Sequence, residues 1–223
     1  MTRTDPLAWF EAALHALNRF QCGADLNLVG ARDACLELLQ MDVELIRHPL
    51  GFHHIELTTL IHPPRGQDRV RLHFHPRDYG RYAYSKSHAH SHRWLLKSCV
   101  LIGALTNEVY RFSPNPEGQL VEGRVRYGDP RKDHVDASER RGVLELESEE
   151  FVPRGRIYCQ GVDILHRTRP ETEPLVTLLM ARNVQEEAKV ILPLDAEDEV
   201  RGRRTATLAE RASLIAGLRE LST

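Results

Sequence analysis

The chain begins and ends on a helical period, with a long stretch of two-residue alternation between. Asp5 precedes Pro6, and Leu7, Phe10, Leu14 and Leu17 then recur at three- and four-residue spacing, which predicts a capped amphipathic helix. Ala34, Cys35, Leu38 and Leu39 share one side of a second, shorter helix over 31–41. From about Gly51 the texture changes to short runs rich in Val, Ile, Leu, Thr and Tyr. "HHIELTTLI", "RVRLHFH", "HRWLLKSCVLI", "ALTNEVYRF", "GVLELES", "GRIYC", "DILHRT" and "PLVTLLMAR" read as strands, broken by "HPPRGQD", "SPNPEG" and "YGDPRKD". That cadence predicts a mainly β fold, an antiparallel sandwich or barrel, and a jelly roll of such strands closes most sheet edges.

Near the end, "TATLAERASLIAGLREL" carries a capping box in Thr207 and Glu210, with Leu208, Ala212, Ile215 and Leu218 on one expected face. The preceding "LDAEDEVRGRR" reads as a solvated, charged linker. The expected organisation is a helical extension over 1–48, a β-barrel over 49–193, and a linker with a C-terminal helix over 194–223.

Composition narrows the functional classes. A length of 223 residues suits one domain with helical additions, and 41% hydrophobic with 28% charged residues excludes a disordered chain. The formal net charge of -2 gives no electrostatic reason to expect nucleic acid or an anionic membrane as partner. No uninterrupted apolar segment approaches the ~18 residues of a membrane span, so a cytoplasmic location is expected. Cys22, Cys35, Cys99 and Cys159 are far apart and form no C-x-x-C, which favours four reduced thiols, with Cys99 and Cys159 packed in strands.

The candidate chemistry lies in "SHAHSHRW". In an extended segment His88, His90 and His92 point the same way, and two of them can bind one metal. Imidazole suits Fe, Zn, Cu or Ni, and three nitrogens with open positions are typical of a catalytic metal rather than a structural one. "QGVDILHRT" supplies His166 after a turn-like Gly161 and Asp163.

Here the chain resembles the cupin superfamily, whose first motif is an H-x-H pair followed by a Glu and then a Gly, and whose second ends in P-x-G-x-x-H. Aligned on Gly103, the pair falls on His90 and His92 and leaves His88 outside, while Gly161 and Asp163 take the Pro and Gly positions before His166. The resemblance implies a cupin-type jelly-roll barrel with His90, His92 and His166 as metal ligands. Leu96 stands where many cupins place a carboxylate ligand, so the implied site is three neutral histidines. "LHRTRPETEPLVTLLMA" and the two-helix preface are further similar to the cysteine dioxygenase (thiol dioxygenase) family.

Departures from that family are as informative. Its carboxylate-binding Arg falls near Thr58, its crosslinkable Cys on Leu96, and its Ser-His-Tyr relay on Thr177, Leu179 and Ala181, so only the first relay hydroxyl is kept. Free cysteine is therefore a poor substrate candidate. Tyr79, Tyr82 and Tyr84 in "RDYGRYAYSKS" form a candidate lid, with Arg77, Arg81 or Lys86 as a substitute cation. Thr177 and Tyr84 are the candidate catalytic residues.

The resulting expectation is an Fe(II) dioxygenase-like oxidoreductase, with Zn, Ni, Mn or Cu as other ions the ligands accept. It would act on a small thiol- or amine-containing metabolite with dioxygen, and a homodimer through barrel edges or helical additions fits the superfamily. Two alternatives stay open: a metal-dependent isomerase, lyase or hydrolase without oxygen, and a non-catalytic small-molecule-binding cupin. Of the remaining residues, His73 and His75 share a strand face, as hydrogen-bond donors to the ligands or as ordinary core or surface histidines. Trp94 reads as core, and Arg167 as a salt-bridge former.

Overall fold

The structure, a computed structural model, describes residues 5–62, 69–76, 89–129 and 131–221. Those residues form a mainly β fold of two antiparallel sheets and three helices. Helix α1 (Pro6–Arg19) starts as its sequence dictates: the Asp5 carboxylate accepts from Leu7 N at 3.0 Å, and Phe10, Ala13, Leu14 and Leu17 are buried. Helix α2 (Ala31–Gln40) follows a left-handed Gly30, and helix α3 (Leu208–Arg219) has the Thr207–Glu210 capping box in place. No described helix is long and apolar enough to cross a membrane.

The first sheet runs in the order β14 (Arg204–Thr205), β1 (Ile46–Arg47), β2 (His53–Glu56), β3 (Arg69–His75), β11 (Leu175–Asn183), β5 (Trp94–Ile102), β9 (Ile157–Gln160). Its outer face carries Val70, Leu72, Phe74, Cys99, Leu101, Val176, Leu178 and Met180, which pack with the buried faces of all three helices in the principal core. Each fully buried Leu or Phe there contributes about 1.5–3 kcal/mol relative to leaving it exposed.

The second sheet runs β13 (Glu199–Gly202), β8 (Lys132–Val152), β6 (Leu105–Pro114), β10 (Leu165–Pro170), β4 (Ala89–His90), β12 (Glu187–Pro193), β7 (Leu120–Asp129). Its long β8 also pairs with β7, so the strand order closes on itself. Gly142 makes this possible: it opposes both Pro114 and Leu120, where a Cβ would collide with the Phe112 ring and the Ser113 carbonyl. The sheets meet face to face through Val100, Leu105, Val152 and Leu175 at one end, and through Trp94, Leu179, Ala181 and Tyr127 at the other.

Three expectations need correction. The C-terminal helix buries Leu214, Gly217 and Leu218 while Leu208 is 87% exposed, so the packed face is rotated from the one its period suggests. Polar contacts set that rotation: Arg211 Nη1 donates to the Leu39 and Met41 carbonyls at 2.8 and 3.2 Å, and Glu210 faces Arg47 and His53. The charged segment before it is not simply a solvated linker. Residues 199–202 pair with β8, burying Arg201, and Arg203 forms a buried ion pair with Asp133. Finally, Cys22 and Cys159 form a disulfide with their Cα atoms 6.0 Å apart, because the loop after α1 lies along the edge strand β9. Cys35 and Cys99 remain free and buried.

Candidate metal centre

Two turns deliver the histidines. Gly103 has φ +80° between β5 and β6, and a Cβ there would stand 2.6 Å from Thr172 Oγ1 and 2.9 Å from the Pro174 carbonyl, so only glycine lets this turn pack on the β10–β11 connection. Asp163, at the second motif's Gly position, also takes a left-handed conformation, φ 59°, and its carboxylate accepts from Gln185 Nε2 at 3.2 Å. The chain leaves that turn directly into β10, where His166 lies opposite His90 of β4 in register.

His90 and His92 flank Ser91, whose N–H donates to the Lys189 carbonyl and whose hydroxyl accepts from Lys189 N, both at 2.8 Å. This clamp on β12 keeps both imidazoles on one face. The rings of His90, His92 and His166 stand 4.8–4.9 Å apart by centroid, with a ligating nitrogen from each within 4.8 Å of the others. His92 Nε2 and His166 Nε2 are 2.9 Å apart. Two nitrogens each about 2.1 Å from one ion and about 90° apart would be separated by about 3 Å, so the pair fits a shared metal.

Hydrogen bonding selects the ligating nitrogen of His166. Asn107 Nδ2 donates to Gln160 Oε1 at 3.1 Å, which turns Asn107 Oδ1 toward His166 Nδ1 at 3.0 Å. Nδ1 is then the donor, and the Nε2 lone pair points to the cluster. Burial keeps all three imidazoles unprotonated: it pushes His90 down to about 4 with help from Arg201, and holds His92 and His166 well below the usual histidine range, with neighbouring imidazoles adding to the effect. Neutral imidazole is the form that binds a metal.

Two members of the cluster, His90 and His92, line a cavity of about 80 Å³, room for several waters or a small metabolite. His90, His92 and Trp94 line it together with Arg71, Tyr127 and Arg203. Trp94 is buried and meets both His92 and Tyr127 edge-on, so it packs as expected and also borders the site.

Other sequence candidates are placed differently. Thr177 is buried, opposite His73 and Val100 in register, and does not line the cavity. Leu96, Leu179 and Ala181 make an apolar patch with Trp94, so positions that hold a polar relay in the resembled family are hydrocarbon here. Thr58 bonds to Glu56 and accepts from Val70 N at 2.8 Å, away from the cavity. His73 lines the cavity and His75 is buried. Arg167 sits 3.9 Å from Glu108 on the surface. Tyr84, His88 and the rest of the candidate lid lie outside the described residues.

Sequence reasoning missed Asn107, Gln160, Arg71 and Arg203. Asn107 had a signal: a polar side chain between Leu105 and Val109, on positions that share one face of a strand. No protein-family model matches the chain, and a search of the curated proteins finds no match.

Proposed function

We propose that the chain is a mononuclear metal enzyme of the three-histidine cupin type, its two sheets forming a jelly-roll barrel, and that it oxidises a small metabolite with dioxygen. The observation that carries this reading is the convergence of His90, His92 and His166 on one point, with His90 and His92 lining a cavity and Asn107 fixing the His166 tautomer. Donor chemistry supports a resident ion, since three unprotonated imidazoles and no carboxylate form the cluster. Iron(II) is the ion in this reading, and it supplies the coordination positions at which substrate and dioxygen would meet. The residues of the chain hold and orient. Ser91 fixes the spacing of His90 and His92, the Gln160–Asn107 pair aims His166, and Trp94 with Leu179 and Ala181 keeps water from one side.

Metal analysis of freshly purified protein, followed by oxygen-uptake measurement after anaerobic loading with iron(II), tests the reading. Near-stoichiometric iron is expected, lost in His90→Ala and in His166→Ala, together with oxygen uptake driven by a small thiol. Copurification with zinc or nickel, and no uptake with any thiol, would sink the oxygenase assignment.

A further inference from the structure

Three histidines outside the cluster are arranged around one phenyl ring. Phe52 is stacked between His48 and His73, its centroid 4.3 Å from the first and 4.5 Å from the second. His54, opposite His73 in register on β2, lies at the edge of that stack, 6.2 Å by centroid from His48 and 6.0 Å from His73. The hydrocarbon of Phe52 blocks the direct line between the outer two imidazoles, so the polar route from one to the other turns through His54. These spacings are too long for ring-to-ring hydrogen bonds and suit one bridging water at each step. Two orphaned atoms point the same way: His54 Nδ1 and His73 Nε2 are buried without a partner among the described residues, where buried polar atoms ordinarily bond to protein or to water.

The three rings stand in series. His73 lines the cavity together with His90 and His92, His54 is buried and does not reach the cavity, and His48 is half-buried in the turn between β1 and β2. Burial holds all three well below the usual histidine range, with Arg71 adding at each. Arg69 and Arg203 are the other cations facing these rings, with Glu56 bound to Arg71 and Asp133 to Arg203, while His75 follows on β3 and His92 is elsewhere on the cavity wall. Each imidazole is therefore neutral, with one donor and one acceptor nitrogen. At the outer end Leu50 N–H donates to His48 Nδ1 at 3.2 Å, which leaves His48 Nε2 to carry the proton.

We infer that His73, His54 and His48 are a proton path running behind the cavity wall, each ring bonded to the next through one water, which carries to solvent the proton released in the cavity. This rests on the proposed oxidation and gives one of its products an exit. A thiol and dioxygen yield a sulfinate and a proton, RSH + O2 → RSO2− + H+. The S–H bond breaks, two S–O bonds form, four electrons pass from sulfur to dioxygen, and the proton is left over. A substrate that fills so small a cavity displaces the water that could otherwise take that proton, whereas a route through His54 stays open behind it. Each ring accepts at one nitrogen and releases from the other, so it stays neutral and no charge settles among the guanidiniums. Exchange with the bridging waters then restores the starting tautomers.

Two measurements test the path. Nitrogen resonances of zinc-loaded protein labelled at its histidines are expected to show His54 and His73 exchanging between both neutral tautomers, while His166 keeps the one that Asn107 imposes. Fixed tautomers at His54 and His73 overturn the inference. In iron(II)-loaded protein, His54→Ala should slow thiol-driven oxygen uptake at least about tenfold, with thiol KM and zinc stoichiometry unchanged, since His54 does not line the cavity. Added imidazole fits the space left by the ring and should restore most of the rate. His54→Gln fills that space and hydrogen-bonds but has no tautomers to exchange, so it should be as slow and not respond to imidazole. Wild-type rates in both variants, or a loss that raises KM and resists imidazole in His54→Ala, overturn the path. No oxygen uptake by the wild type would count against the proposed reaction, and the nitrogen resonances alone then decide the path.

Discussion

Arg203 holds Asp133 by a two-pronged contact, Nη1 to Oδ1 at 2.8 Å and Nη2 to Oδ2 at 2.7 Å, with side chains only 5% and 7% exposed. The pair links the segment after β13 to the start of β8 beneath the cavity. Removing one member leaves a buried charge alone, so Asp133→Ala should cost about 3–5 kcal/mol in urea denaturation. Replacing both with apolar residues should recover much of that loss, and a single variant within 1 kcal/mol of wild type would show the pair to be less buried than described.

Asn107 reaches the cluster only through His166. Asn107→Ala should therefore weaken zinc affinity about 10–100-fold, measured by competition with a chelator, with little change in far-ultraviolet circular dichroism. Gln160→Ala should act in the same direction and less strongly, since it disturbs the amide of Asn107 rather than the imidazole. Equal affinity in all three proteins would remove Asn107 from any role at the site.

Acid should destabilise the fold through histidines away from the cluster. Burial lowers His54 well below its usual range, with Arg71 adding, and pushes His75 down to about 3, with His53 adding. His53 is lowered by burial as well, although Glu210 partly offsets this. The unfolded chain binds protons at these sites near pH 6.5 and the folded chain resists until far lower, so the unfolded state gains as pH falls. Stability is full above about pH 6.5, and each such histidine should remove up to about 1.4 kcal/mol per pH unit below it. Urea midpoints for metal-free protein at pH 7, 6 and 5 measure the slope, and a flat profile contradicts the burial of these rings.

The Cys22–Cys159 bond spans 137 residues and joins the loop after α1 to an edge strand. Both cysteines are solvent-exposed, so a thiol reductant should open it. Reduction, or Cys22→Ser, is expected to lower unfolding free energy by about 2–4 kcal/mol. The backbone bonds Gly23 N to Ile157 O and Ile157 N to Ala24 O, at 2.7 and 2.9 Å, should keep β9 in place, leaving metal stoichiometry unchanged. Thiol counting on unfolded, unreduced protein should give two free thiols, and four would refute the bond.

Strands marked by clean alternation or by a continuous apolar run were legible in the sequence. "RVRLHFH" and "PLVTLLMAR" became β3 and β11 nearly residue for residue, whereas β7 was hidden by Gly123 and its charged neighbours, and β12 by the charged residues before its apolar run. His90, His92 and His166 were legible because a two-residue spacing and a turn are local facts. Arg71 and His73 were not: alternation separates Val70, Leu72 and Phe74 from the polar set but does not reveal that the polar face looks into a cavity instead of solvent. Nor does it reveal that hydrocarbon on the opposite face is covered by helices that lie on both sides in the chain, the nearer ending 69 − 40 = 29 positions before β3 and the farther starting 208 − 75 = 133 positions after it.

β4 has two residues, and His90 is held there by His166, 166 − 90 = 76 positions later, and by Val190, 190 − 90 = 100 positions later. Among the described residues β4 has no partner close to it in sequence, and the entropy of closing those loops is recovered only after β10 and β12 have docked. The three imidazoles therefore come together at the end of chain assembly. If the histidines hold an ion, it is expected to load into finished protein without unfolding it, and the two sheets are expected to form without it.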